Sequence, residues 1–268
     1  MKSIKKTLKP RQKYFTKGKR LIFVKQFEDF KGKLPKNPSI IRDRLNPRLC
    51  DFSYLMTRSF RRTMADFVNL TNKKKGPLTI LDLGCGYEPF KKLFPKNSNY
   101  IGVDMSLNSY ADIIADNHQL PFKNNTFDIV IASEVLEHSS NEYQFIEELT
   151  RVSKNKALVF ISLPFIFPEH GQPYDFQRLT KYKLKELFKN HKIISLKESN
   201  NIVSSVFVFI NLFFRIILGS SALLSPIYIF NNLLALAAEK IKPPNNAYLE
   251  TALKSCPIGY SLIVEIKK

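Results

Sequence analysis

Two glycines, a carboxylate and two histidines have the types and spacing to do chemistry in this chain. Gly84 and Gly86 flank Cys85 directly after the apolar run Leu78 to Leu83. A run of this kind closing on a glycine turn suits a strand covered on both faces, and a glycine lets the backbone approach a ligand where a Cβ would collide. A second run, Tyr100 to Val103, closes on Asp104 roughly 20 residues later, where doubly wound folds place the acid that holds ribose hydroxyls. Gly84, Gly86 and Asp104 are therefore candidate cofactor contacts. His138 and His170 carry imidazoles that titrate near neutral pH and can take a proton from a hydroxyl. His138 has an equally good structural use, as a hydrogen-bonding partner of its own helix start.

The elements that must position these groups follow from the apolar pattern. A third segment ends at Ala115-Asp116, ahead of Leu120-Pro121-Phe122, and a fourth strand, Phe127 to Ala132, leads into Ser133-Glu134-Val135-Leu136-Glu137-His138. Ser139-Ser140-Asn141 supplies the start of a helix over 142–152, and Ala157 to Leu163 reads as a fifth strand. Thr180 caps a helix through Phe188, His191 to Leu196 is a sixth strand, and Gly259 to Ile266 is the last. Ahead of them all, apolar residues recur at three and four from Phe52 to Leu70, which predicts an amphipathic helix started by Asp51.

Taken together, Asp82-Leu-Gly-Cys-Gly, Gly102-Val-Asp104, Asp116 before Leu-Pro-Phe, and Phe127-Asp128 through Leu136-Glu137-His138 resemble the class I S-adenosylmethionine-dependent methyltransferases of the methyltransferase domain 11 type. The resemblance runs from about Leu78 to Ser199 and takes in the last strand. It implies an α/β, Rossmann-like sheet of seven strands with helices on both faces, and S-adenosyl-L-methionine as cofactor. It further implies that Gly84 and Gly86 meet the methionine part, Asp104 the ribose and Asp116 the adenine amino group, with Asp82 and Ser133 also in the cofactor site. Glu88, followed by Pro89, stands where a third glycine is usual.

Methyl transfer is an in-line displacement at an electrophilic sulfonium, so the protein supplies alignment and dehydration, together with a base where the acceptor is a hydroxyl. His138 and His170 are the candidate bases, and Glu134 and Glu137 are available to orient them or to touch the amino acid end of the cofactor. The stretch Pro164 to Thr180 is rich in aromatic, proline and ionisable residues and follows strand five, at the sheet edge where open α/β folds bind ligands. It resembles the corresponding loop of methyltransferases of bacterial surface-polysaccharide biosynthesis. That resemblance implies a small-molecule, glycan or lipid-linked glycan acceptor, with Asp175 and Arg178 either touching it or pairing structurally.

The chain has 268 residues, with 42 Lys and Arg against 23 Asp and Glu for a net charge of +19. This length suits one domain with appendages: a basic arm and linker over 1–50, the cofactor-binding domain over 51–200, a hydrophobic helical insertion over 201–246, and the final strand region over 247–268. The charge excess gathers at the N-terminus, where it seeks anions. Cys50, Cys85 and Cys256 lie far apart, so neither a zinc site nor a disulfide framework is expected; no metal is expected, and a reducing cytoplasmic compartment is the default. No apolar run near the N-terminus is long enough for a signal peptide.

Ile216 to Ala238 carries no charge, beyond the roughly 18 residues at which a membrane span becomes a candidate. Pro226, Asn231 and Asn232 argue against a simple span, and the chain must return to the side it left before the last strand. Interfacial helices meet both conditions and predict a peripheral or monotopic protein on the inner face of the cell membrane, with the basic arm as a second contact. A lid or homodimer face is the alternative. An NAD-dependent oxidoreductase would want the missing third glycine, and a base-modifying nucleic-acid methyltransferase would want Asn-Pro-Pro-Tyr where Ser133-Glu134-Val135 stands, so nucleic acid is not an expected partner. A quinone or lipid methyltransferase and a non-catalytic, membrane-bound cofactor-binding protein stay open.

Overall fold

The computed structural model describes residues 2–9, 14–17, 19–23, 45–219, 222–240 and 246–268. The N-terminal residues form α1 (Lys2–Thr7), β1 (Phe15–Lys17) and β2 (Arg20–Ile22). After α2 (Tyr54–Thr71) come β3 (Thr79–Leu83), β4 (Asn99–Asp104), β5 (Ile113–Ile114) and β6 (Phe127–Ser133). Next are α3 (Glu142–Val152), β7 (Ser153–Pro164), α4 (Lys181–Leu187) and β8 (Lys192–Glu198). Three helices, α5 (Ile202–Ile217), α6 (Ser225–Ala238) and α7 (Ala247–Leu253), precede β9 (Gly259–Glu265).

The strands pair in the order β1-β2-β5-β4-β3-β6-β7-β9-β8. β3, β4, β5, β6 and β7 run parallel, and β9 enters antiparallel between β7 and β8. Parallel strands need cover on both faces, and the side chains divide accordingly. Ile80, Ile129, Ile131 and Phe160 pack with Met64 and Phe67 of α2. Leu81, Leu83, Val130 and Ala132 turn the other way, into a cluster with Phe145 and Leu149 of α3 and Leu184 of α4. Each fully buried Leu, Ile or Phe here contributes about 1.5–3 kcal/mol.

Among the described residues nine strands pair rather than seven, because part of the basic arm joins the sheet. β2 lies parallel to β5, with Leu21 opposite Ile113, and β1 folds back on β2. Ile4, Leu8 and Leu21 are buried in the core cluster that holds Phe122, so this edge gains apolar burial as well as strand pairing. The α2 start also differs from expectation. Its first turn is at Tyr54, because the Asp51 carboxylate accepts the Arg48 N–H at 2.7 Å and closes a separate turn. Asn141 and Thr180 cap α3 and α4 as their residue types predict, accepting from Gln144 and Lys183.

The helices α5 to α7 leave and re-enter the sheet at one place. The Ser199 N–H donates to the Gly259 carbonyl at 2.9 Å, joining the last residues of β8 to the first of β9. Two of these helices are inside-out. α5 and α6 bury Ser204, Ser205, Asn211, Asn231 and Asn232. Asn211 donates to Asn232 and to the Phe52 carbonyl, Asn231 to Asn211, and Asn232 to the carbonyls of Leu49 and Asp51. Outward they present Phe213 (60% exposed), Ile216 (67%), Ile217 and Phe230. Among the described residues, no helix is long and apolar enough to cross a membrane.

Candidate active site

The turn after β3 is built on left-handed backbone. Gly84 has φ +63, and a Cβ there would meet Val135 Cγ2 at 2.6 Å; Gly86 has φ +51, and a Cβ there would point into open space. The first glycine is thus required by packing, and the second leaves room in front of the loop. Glu88 takes φ +53 at the usual third-glycine position, a conformation costing an L-residue about 1–2 kcal/mol. Its carboxylate pairs with Lys91 at 2.7 Å, while burial pushes its pKa up.

Asp104, at the end of β4, accepts N–H groups from Gly86 at 2.9 Å and Ser106 at 2.7 Å. Burial raises its pKa and these amides oppose the rise. Asp116 is half exposed beyond β5. It accepts the His118 backbone N–H at 2.8 Å and lies 2.7 Å from His118 Nδ1, whose hydrogen bond holds the carboxylate below its usual range. His118 Nε2 reaches Ser139 Oγ at 2.7 Å, so a residue that sequence reasoning missed ties the third strand end to the fourth. The signal was present in Asp-x-His, since an aspartate readily accepts the amide two residues on. Asp82 and Ser133 sit deeper than expected. Asp82 is buried and takes the Tyr100 hydroxyl at 2.5 Å, and Ser133 pairs with Ser162 across the strands at 3.0 Å. Both side chains are engaged by these hydrogen bonds inside the sheet.

The second half of the site joins two loops. The turn after β6 supplies Glu137 and His138, and the segment after β7 supplies His170. The two imidazoles stack edge to face, with centroids 5.0 Å apart. Gly171, with φ +67, makes this possible, because a Cβ there would meet His138 Cε1 at 2.9 Å. Glu137 is fully buried, and neither of its carboxylate oxygens has a hydrogen-bond partner. Its Oε1 lies 3.5 Å from His170 Nε2 and 3.9 Å from His138 Nε2. Burial raises the Glu137 pKa, and the neighbouring carboxylate raises that of His170.

Asp175 and Arg178, expected either to touch the acceptor or to pair structurally, grip each other. Arg178 donates to both Asp175 oxygens, at 2.5 and 2.7 Å, and also to the carbonyls of Gln177, Phe167 and Pro168. The guanidinium lowers the Asp175 pKa to about 2. Asp175 in turn accepts the His170 N–H at 2.9 Å. The pair is a strut that fixes His170, and its hydrogen-bonding groups are directed into the loop.

Beside the histidines a cavity opens between α2 and the carboxyl ends of β6 and β7. Met56, Phe60, Leu163, Phe167 and Ile258 form its apolar walls, and Thr57, Glu134 and Ser261 are polar groups on it. Phe167 also stacks on His170 at 5.7 Å. Glu134 has φ +55, and strain of this kind collects where a side chain must be aimed.

A parallel sheet continued by an antiparallel pair, with a left-handed glycine loop facing an acid at the next strand end, defines the class I methyltransferase fold. The methyltransferase domain family matches residues 81–161. Among curated proteins, an uncharacterised protein of Methanocaldococcus jannaschii is 38% identical over 96 residues, covering 33% of this chain and 42% of that protein. The malonyl-[acyl-carrier protein] O-methyltransferase of Legionella pneumophila is 34% identical over 122 residues, covering 38% and 43%. The chain spans less than half the length of these curated relatives. Phosphoethanolamine N-methyltransferase 2 of Haemonchus contortus, solved with S-adenosyl-L-methionine, shares the fold with a TM-score of 0.52 at 14% identity, over 91% of this chain and 60% of that one. Residues 81–161 thus resemble a methyltransferase domain, on a fold that in the Haemonchus enzyme holds S-adenosyl-L-methionine. The open space before Gly86 and the paired acceptor oxygens of Asp104 fit that cofactor.

Proposed function

We propose that this protein transfers a methyl group from S-adenosylmethionine to a hydroxyl oxygen of a glycan or lipid-linked glycan at the inner face of a membrane. The observation that carries this reading is topological: the glycine loop, the histidine pair and the inside-out helices all emerge at the carboxyl edge of one sheet. When bound, the cofactor supplies an electrophilic methyl group. Asp104 accepts the ribose hydroxyls, Gly86 leaves space for the amino acid end, and Asp116, held by His118, accepts from the adenine amino group. The cavity beside Phe167 excludes water from the acceptor, and the cluster of Glu137, His138 and His170 handles the proton of its hydroxyl.

Two features support the finer parts of the reading. The Legionella relative is by its name an O-methyltransferase, which favours oxygen as the atom methylated. The exposed aromatic and aliphatic side chains of α5 and α6 favour a lipid surface, since water leaves such a face poorly solvated. A quinone or other lipid is the second acceptor reading, favoured by the apolar cavity walls. Incubation with labelled S-adenosylmethionine and fractionated envelope extracts tests both. Label in a product whose sugar is released by mild acid supports the glycan reading, label in the sugar-free lipid fraction supports the second, and no transfer to any fraction counts against enzymatic activity.

A further inference from the structure

We infer that Glu137, His138 and His170 form a binding site for a first-row divalent transition ion such as Zn2+, which holds and activates the acceptor hydroxyl; the second role rests on the methyltransferase reading above. His138 Nδ1 lies 2.7 Å from the Tyr174 carbonyl, and His170 Nδ1 lies 3.2 Å from the Pro168 carbonyl. A carbonyl oxygen only accepts, so each Nδ1 carries a proton, and each ring offers a lone pair at Nε2 in its unprotonated form. Both Nε2 atoms face Glu137 Oε1, at 3.9 and 3.5 Å.

Two ring nitrogens and a carboxylate therefore converge on one point. The Glu137 carboxylate is fully buried, and among the described residues its oxygens make no hydrogen bond of ordinary length, the nearest partner being His170 Nε2 at 3.5 Å. A buried, unpaired carboxylate is costly, and such groups are normally paired or coordinate a metal. A cation at the convergence point answers all three groups at once. One ligand atom from each residue lies within 4.8 Å of the other two. Metal-bound histidines commonly donate the other ring N–H to a carbonyl or carboxylate, which fixes the tautomer and orients the ring. Both imidazoles meet that condition here.

The donor set also selects the ion. Two imidazoles and one carboxylate suit zinc and its first-row neighbours better than magnesium or calcium, which prefer all-oxygen shells. Three protein ligands leave a coordination position open, as catalytic sites do. An acceptor hydroxyl bound there is acidified: its O–H bond breaks, the proton leaves to water, and the electron pair stays on oxygen as the nucleophile. The cysteine pattern gives no hint of this, because the ligands come from two loops separated by β7 and α3.

The test uses the untagged full-length protein, stripped with chelator and titrated with ZnCl2 by calorimetry and with CoCl2 by visible absorption. The expected result is one ion per chain, with affinity at least tenfold weaker in Glu137→Gln and in His170→Asn, loss of the cobalt ligand-field bands in both, and S-adenosylhomocysteine affinity within twofold of wild type. Protein that binds S-adenosylhomocysteine but neither ion overturns the site and leaves the methyltransferase reading standing. Unchanged ion affinity in both variants also overturns it. Zinc binding with no S-adenosylhomocysteine binding sustains the site and removes its catalytic role.

Discussion

Gly86 donates its N–H to Oδ2 of Asp104 at 2.9 Å, so the glycine loop and the acid of the neighbouring strand form one unit. The carboxylate is already oriented, and its position changes only if the loop moves with it. Pre-organisation of this sort reduces the ordering cost of binding.

Asp104→Ala is expected to weaken S-adenosylhomocysteine binding by about 1–3 kcal/mol, the cost of leaving polar partners unsatisfied. Burial raises the Asp104 pKa despite the Ser106 and Gly86 amides. Between the ordinary aspartate value and this raised one, the folded state holds the proton more tightly than the unfolded chain, so the contribution of Asp104 to stability falls as pH rises. The proposed contact with the ribose hydroxyls requires the ionised carboxylate. Cofactor affinity should therefore drop as pH falls through the raised value, and Asp104→Asn should lack that step. Calorimetry across the mildly acidic range checks both, and parallel pH profiles for the two proteins would refute the assignment.

The two glycines of the loop should separate cleanly. Gly84→Ala brings a Cβ to 2.6 Å from Val135 Cγ2 at φ +63, and should cost about 2–4 kcal/mol of stability. Gly86→Ala meets nothing within 4 Å and should cost only about 1 kcal/mol in backbone strain. It should nevertheless lower cofactor affinity more than about tenfold, because its methyl group fills ligand space. Chemical denaturation with parallel binding measurements decides; the reverse ranking would show that Gly86 does not face the cofactor.

Asp175→Asn should act through His170. The Asp175 carboxylate accepts from both Arg178 and the His170 amide. Its neutralisation should cost about 2 kcal/mol, less than for a fully buried pair because Arg178 is partly solvated. Turnover should fall about tenfold or more as His170 loses its position, while S-adenosylhomocysteine affinity stays unchanged. Arg178→Lys should resemble it, since an ammonium cannot make the bidentate contact. A variant that loses acceptor affinity alone would instead return Asp175 to the acceptor site.

The two sides of α5 and α6 should respond oppositely. Phe213→Asp with Ile216→Asp alters side chains that are 60% and 67% exposed, and should leave the melting temperature nearly unchanged while cutting co-sedimentation with anionic vesicles about tenfold or more. Asn232→Ala removes the donor to the Leu49 and Asp51 carbonyls and should destabilise the fold by about 1–3 kcal/mol. Equal vesicle binding by the double variant would leave those helices as a lid or a homodimer face.

Much of this was legible in the sequence where a strand is buried on both faces. Ile80 to Leu83, interrupted by Asp82 alone, and Ile129 to Ala132 could be assigned because burial on both faces demands a nearly continuous apolar run. β1 and β2 could not, since Phe-Thr-Lys and Arg-Leu-Ile are too short to show a period and depend on β5 for a partner. Apolar length identified α5 and α6, but a count of apolar residues does not say which side Asn211 faces. The inward turn of Glu137 was equally hidden, for Glu134 and Glu137 read alike in a polar string until the loop carrying His170 closes over one of them. Asp175 and Arg178 were visible as a spaced pair, and only the geometry of the loop shows that they hold each other.

The hydrogen bond from Ser199 to Gly259 closes the segment that carries α5, α6 and α7 at the point where it leaves and rejoins the sheet. Its two ends meet at adjacent strand termini, so a change in the length of this segment would leave the register of β8 and β9 intact.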